Sequence, residues 1–258
     1  MFEDGDAYQR FMGRWSDRVA ASFVADLHVP DECWWLDVGC GSGALLAAVL
    51  HARRPARLTG LDPSPAQLAL ARRRLATTSE VSPELVLGSA DAVPLADGVV
   101  DVAVTGLVLN FCPDPGSALA ELVRVTRPGG TVAGYVWDYR HPDFFLRRYW
   151  DAADLEGVLG NADERHRWPV CTDDGMAALL AVHPGAVQGA ITIETAFASH
   201  EELWTGYTLG IGPVGAHLAG LDGHRRARLQ DRLRDVVDDA GGPAALTARA
   251  LTFSIPVP

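Results

Sequence analysis

Three glycines fall within five positions of "LDVGCGSG" (36–43), directly after an apolar run and directly before another. In a turn between a strand and a helix, Gly39, Gly41 and Gly43 would clear side chains from the place where a ligand meets the amides of a helix N-terminus. Asp37 stands in the same stretch, and Asp62 closes the next apolar run, "RLTGLD" (57–62). A carboxylate at a strand end has two oxygens that can accept from the paired hydroxyls of a ribose. Glycine turn and acid together therefore point to a nucleotide-like ligand. On these residues alone a nicotinamide and an adenosyl ligand both fit, because Gly39, Gly41 and Ala44 also satisfy the looser dinucleotide fingerprint.

The elements that must carry these residues are legible around them. Short apolar strands at 33–38, 57–62, 84–88, 99–105 and 131–138 alternate with helical patterns at 43–53, 65–77 and 116–126. Parallel neighbours need crossover helices, so this alternation predicts a Rossmann-like, doubly wound α/β fold. Before it, Tyr8, Phe11, Trp15, Val19, Phe23 and Leu27 recur at helical spacing and stop before Pro30. After it, a helix over 174–183, a strand over 189–197, helices over about 200–218 and 223–240 and a last strand over 248–255 are expected. The implied division is an N-terminal cap helix (1–29), an α/β core (30–138), and a remainder of the same domain (139–258) whose insertion at about 199–240 adds a helical cap.

Composition removes several function classes. The 258-residue chain has 22 basic and 33 acidic residues, a formal charge of -11, and no lysine. Without lysine there is neither a Schiff-base site nor a P-loop. The acidic balance disfavours nucleic acid, and no apolar run reaches membrane-spanning length. Cys33, Cys40, Cys112 and Cys171 form no C-x-x-C pair, so neither a metal site nor a disulfide framework is expected. These features, with a start lacking a signal-peptide pattern, predict a cytoplasmic protein; abundant Ala, Arg, Gly and Pro suggest a bacterial source.

Downstream residues separate the two ligand types. "LDVGCGSG" (36–43), "LTGLDPSPAQLALAR" (58–72), "GSADAVPLADGVVDVAV" (88–104) and "LAELVRVTRPGGTVAGYVW" (119–137) resemble, in order, the motifs of class I S-adenosylmethionine-dependent methyltransferases. The resemblance implies a seven-stranded, mostly parallel sheet whose last strand is antiparallel. It places Gly39 and Gly41 under the methionine portion of the cofactor, with Asp37 nearby, and Asp62 on the ribose. Pro63 and Gln67 would flank the adenine, while Ala90, Asp91 and Ala92 would read its edge. Thr105 and Gly106 would lie beside the methionine chain. "FMGRWS" (11–16) is similar to a family segment that folds over the cofactor, so Arg14 would clamp the methionine carboxylate and Tyr8 and Trp15 would close the pocket.

Methyl transfer from a sulfonium is an in-line displacement in which the enzyme mainly orients the nucleophile and excludes water. Where the acceptor must lose a proton, His141, following the fifth strand, is the candidate base. Asn110, where some relatives carry histidine, would position the acceptor. Trp137, Tyr139, Phe144, Phe145, Trp150, Trp168 and Trp204 are aromatic candidates for its walls that sequence does not separate from core. The expected enzyme methylates a small molecule, converts S-adenosylmethionine to S-adenosylhomocysteine, uses no metal, and is a monomer or homodimer. The alternatives are a methyltransferase-like protein that binds the cofactor for another reaction, such as a cyclisation, and a nicotinamide oxidoreductase.

Overall fold

The computed structural model describes residues 9–76 and 81–258. Tyr8 lies outside them. A turn of π-helix, Gln9–Gly13, leads into α1 (Arg14–Asp26), whose buried residues include Trp15, Val19, Phe23 and Val24. The alternating core follows: β1 (Trp34–Val38), α2 (Ala44–Ala52), β2 (Arg57–Asp62), α3 (Pro65–Leu75), β3 (Glu84–Leu87), β4 (Val100–Gly106), α4 (Pro115–Val125) and β5 (Thr126–Trp137). Then come α5 (Phe145–Leu155), α6 (Asp173–Leu180), β6 (Val187–Glu194), α7 (His200–Thr208), α8 (Gly212–Ala219), α9 (Gly223–Asp238) and β7 (Thr247–Pro256).

Local chemistry fixes the helix starts. Ser64 accepts from the amide of Gln67 and Pro65 opens α3; Asp114 and Pro115 do the same for α4. Each is an N-cap side chain that takes an orphan amide, followed by a proline whose missing N–H costs nothing. Thr172, Ser199 and Asp222 cap α6, α7 and α9. β1, β2 and β4 are almost wholly buried, which is why they read as continuous apolar runs.

The seven strands form one sheet in the order β3-β2-β1-β4-β5-β7-β6. β1 pairs in parallel with β2 and β4, β2 with β3 and β4 with β5, whereas β7 is antiparallel to both neighbours. This is the fold class expected from sequence, including its reversed last strand. Strand order reverses between β1 and β4, and the crevice beyond their carboxyl ends is where such sheets take ligands. No described helix is long and apolar enough to cross a membrane.

Two elements differ from expectation. The predicted helix over 200–218 is broken into α7 and α8, because Gly210 and Gly212 adopt φ of +74° and +59°, left-handed values that end a right-handed helix. α5 was hidden in an Arg- and Asp-rich stretch, although Phe145, Leu146, Tyr149, Trp150 and Ala153 bury one helical face.

Candidate functional site

A cavity of about 800 Å³ opens at the switch point, between the turns that follow β1 and β4. Its floor is the glycine turn. Gly39, Gly41 and Gly43 have φ of +78°, +51° and +86°, so each residue occupies backbone space that L side chains avoid. Their local reasons differ. A Cβ on Gly39 would come within 2.4 Å of Val108 Cγ2, whereas one on Gly41 would meet only Gln67 Oε1, at 3.9 Å. Gly39 thus lets the β4 loop close down on the turn, and Gly41 leaves its surface open to the cavity.

Asp62 holds this turn. Its Oδ2 accepts from the Gly41 amide at 2.9 Å and its Oδ1 from the Ser64 amide at 2.8 Å, leaving further lone pairs on both oxygens. Burial raises its pKa, against the pull of those two amides. The amides of Gly39 and Cys40 both donate to Leu61 O, at 2.7 and 2.9 Å, and that of Gly43 donates to Cys40 O. Most of the turn's donors are therefore committed inside the protein.

Asp37 is the anomaly. It is 1% exposed, lines the cavity, and neither carboxylate oxygen has a hydrogen-bond partner. Burial, then the neighbouring Asp62, pushes its pKa up to about 8. A buried acid without partners is costly; one whose partner arrives with a ligand is not.

On the β4 side, Thr105 is buried and does not line the cavity, its hydroxyl donating to Val38 O at 2.9 Å, whereas Gly106 lines the wall against the Tyr135 ring. Leu107 has a φ of +62°, an outlier for a bulky residue and a store of roughly 1–3 kcal/mol of strain at the cavity wall. Pro63, Gln67 and Asn110 also line the cavity. Ala90, Asp91 and Ala92 do not; they form the turn after β3, where the Ala92 amide donates to Ser89 O. Asp91 still lies near enough to act electrostatically on Cys112, which does line it.

Two sequence-based expectations need correction. Arg14 faces away from the cavity, pairing with Glu202 at 2.8 Å and stacking on the rings of Trp15 and Phe197. Trp15 is 2% exposed and packs edge-on to Phe197 within the core. The segment does reach the cavity, but through Phe11, Met12 and Ser16. Residues two apart on an α-helix lie on nearly opposite sides, so presenting Ser16 turns Arg14 outward. Arg14→Gln should accordingly leave cofactor affinity within about twofold and cost no more than about 1 kcal/mol, as half-exposed pairs do; calorimetric titration and thermal melts check both.

His141 is the second. It sits in the turn after β5, its amide donating to Asp138 O and its carbonyl accepting from Phe144, and it does not line the cavity. Its ring lies in the field of Asp138, Asp143, Arg147 and Arg249, and burial lowers its pKa. Of the aromatic candidates, Trp137, Tyr139 and Trp168 line the cavity. Phe144, Phe145 and Trp150 are fully buried core, and Trp204 packs at the core's margin.

The structure adds Glu164, which sequence reasoning passed over. It lines the cavity and is 4% exposed, with Oε2 accepting from Trp150 Nε1 at 3.0 Å. Burial pushes its pKa up to about 7. Among the described residues no group of His, Cys, Asp or Glu side chains is arranged to hold a metal ion.

Sheet order, glycine turn and a cavity at the switch point define a Rossmann-like α/β protein. Residues 36–134, spanning β1 to most of β5, match the family model of a methyltransferase domain. Malonyl-[acyl-carrier protein] O-methyltransferase of Serratia marcescens is 41% identical over 97 residues, covering 38% of this chain and 35% of that protein. An uncharacterized methyltransferase of Mycobacterium sp. (strain JLS) is 38% identical over 144 residues, covering 53% and 54%. The match thus spans about a third to a half of these relatives' lengths. Among solved structures, phosphoethanolamine N-methyltransferase 2 of Haemonchus contortus, in complex with phosphomonomethylethanolamine and S-adenosylhomocysteine, aligns with a TM-score of 0.57 at 13% identity, covering 98% of this chain and 56% of that one; the likeness is one of fold. In sequence over residues 36–134, and in fold beyond them, the chain is similar to class I S-adenosylmethionine-dependent methyltransferases.

Proposed function

We propose that the protein transfers the methyl group of S-adenosylmethionine to a small molecule held in the same cavity. The observation that carries this reading is the pair of carboxylates at the switch point, Asp62 beside the open face of Gly41 and Asp37 with two unpartnered oxygens. The residues present fit the cofactor. Asp62 would take the ribose hydroxyls, Pro63 and Gln67 the adenine, and Gly41 and Gly106 the close approach of the chain. Asp37 would meet the methionine ammonium, the cation its orphaned oxygens lack. When bound, the cofactor supplies an already activated methyl group; the protein's work is to hold the acceptor in line and keep water out.

Cavity size supports a small acceptor. About 800 Å³ lies in the upper part of the ~300–1,000 Å³ range of small-molecule sites, room for a cofactor and a second compact ligand. Phe11, Met12 and Ser16 on one side, and Ile211 to Val214 at the start of α8 on the other, close over it. Two helical segments from distant parts of the chain thus wall off the site. A cytoplasmic location and a bacterial metabolite acceptor complete the proposal.

The test is a calorimetric titration with S-adenosylmethionine, S-adenosylhomocysteine and NADH, each beside Asp62→Ala. Micromolar binding of both sulfur compounds and none of NADH is expected. The variant loses a charged acceptor worth about 1.5–3 kcal/mol, or roughly 10- to 100-fold in affinity, with circular dichroism confirming that the Gly41 turn survives. Binding of NADH alone would overturn the reading in favour of an oxidoreductase.

A further inference from the structure

Besides the glycine turn, the cavity lining holds a second set of groups. Phe111, Tyr139 and Trp168 form an aromatic wall, with ring centroids 5.3 Å apart for Phe111 and Trp168 and 4.9 Å for Tyr139 and Trp168. Two buried donors without partners, Asn110 Nδ2 and Trp137 Nε1, belong to residues lining the same space. Glu164 is the buried acid there. Its known structural duty, accepting from Trp150 Nε1, is one that a neutral glutamine would perform without the desolvation cost of a charge. An ionisable group kept in such a place, open to a ligand cavity, is a functional candidate.

The donor and acceptor inventory selects the ligand. An atom that satisfies Asn110 and Trp137 must offer lone pairs, and one that satisfies an ionised Glu164 must offer a proton. A hydroxyl does both; an ammonium has no lone pair and would also meet the guanidinium of Arg167, which lines the cavity and stacks on Trp168 at 5.1 Å. A flat ring bearing that hydroxyl matches the aromatic wall. We propose that Glu164 is the proton acceptor of the reaction and that the methyl acceptor is an aromatic hydroxyl compound, an inference that rests on the methyltransferase reading above.

In this step the hydroxyl proton passes to the Glu164 carboxylate. An oxygen lone pair forms the new carbon–oxygen bond as the methyl–sulfur bond breaks, and that bond's electron pair stays on sulfur. The products are the aryl methyl ether, S-adenosylhomocysteine and protonated Glu164, which then releases its proton to solvent. Around Glu164 stand Asp163 and Arg167 on its own loop and the thiol of Cys171, with Tyr207 on α7 and, beyond Trp150, His217 on α8. Arg167 favours the charged form and Asp163 opposes it, while burial dominates and holds the carboxyl at about 7, where a base serves at neutral pH.

The experiment uses 4-nitrophenol, whose coloured anion reports its own ionisation, titrated into the protein saturated with S-adenosylhomocysteine. Glutamine at 164 keeps an oxygen for Trp150 and removes the charge. In the wild type, a carboxylate beside the phenol opposes a second negative charge and raises the bound phenol's pKa. In Glu164→Gln the donors act alone, so that pKa should fall by about one unit or more, with S-adenosylhomocysteine affinity unchanged. Absence of 4-nitrophenol binding, or identical ionisation in both proteins, overturns the proposal. Failure of S-adenosylhomocysteine to bind the wild type would instead overturn the underlying methyltransferase reading.

Discussion

Asp37→Asn should bind S-adenosylmethionine at least about tenfold more weakly and, without ligand, melt at a higher temperature than the wild type at pH 8. The two effects have one cause. Asp37 is buried with neither oxygen partnered, and burial with the nearby Asp62 lifts its pKa to about 8. In the unfolded chain the same carboxyl titrates near 4. Between those values the folded protein binds the extra proton, so stability is fully present below the unfolded pKa and is lost as pH rises toward about 8. Asparagine removes that loss, a gain on the order of a few kcal/mol at the upper end of the window. It also removes the charge that a cationic ligand group would meet, and charged hydrogen bonds are worth about 1.5–3 kcal/mol. Glu164, raised to about 7 by burial, gives the same sign of slope in both proteins and does not confuse the comparison. Calorimetric melts at pH 5 and pH 8 read the first effect and titration with the cofactor the second. Parallel pH profiles for the two proteins would show that Asp37 is not the group responsible, and undiminished affinity would remove it from the site.

The same residue illustrates what sequence could and could not disclose. The glycine turn and Asp62 were legible because their roles are local: a left-handed backbone needs glycine, and an acid at a strand end faces the crevice wherever that strand is parallel. That Asp37 is orphaned depends on which amides its neighbours capture, and those come from other strands. Helical phase misled at Arg14 and Trp15, because the spacing of apolar residues marks a buried face without saying whether it meets core or cavity. Phe11, Met12 and Ser16 took the cavity side, and the aromatic stack with Phe197 claimed the other. Glu164 was invisible for the opposite reason. "NADERHRWPV" (161–170) reads as a solvated loop, yet the indole of Trp150 reaches it from α5, a helix that the charged residues around it had concealed. His141 was favoured for its place in the chain after β5; the turn that follows the strand carries its ring to the Asp138 and Arg249 cluster instead.

The turn itself yields the largest expected loss of stability. Gly39→Ala introduces a Cβ at 2.4 Å from Val108 Cγ2 and 2.8 Å from Val108 Cγ1, in a residue whose φ is +78°. Two costs combine. A left-handed L-residue costs roughly 1–2 kcal/mol, and overpacking against a closed neighbour typically costs about 1–3 kcal/mol, so the folded state should lose about 2–5 kcal/mol in urea titration. Only the second cost involves Val108. Removing its methyl groups in Val108→Ala opens that space, at the price of a small cavity in an otherwise wild-type protein, and the double variant should be more stable than the sum of the single losses by about 1 kcal/mol or more. The backbone share remains, because no change at Val108 alters φ at residue 39. Coupling of this size would establish that Gly39 serves the closure of the β4 loop over the β1 turn, the contact that sets the depth of the crevice in which Gly41 stays open. Strict additivity would place the whole cost in the backbone and reduce the contact with Val108 to coincidence.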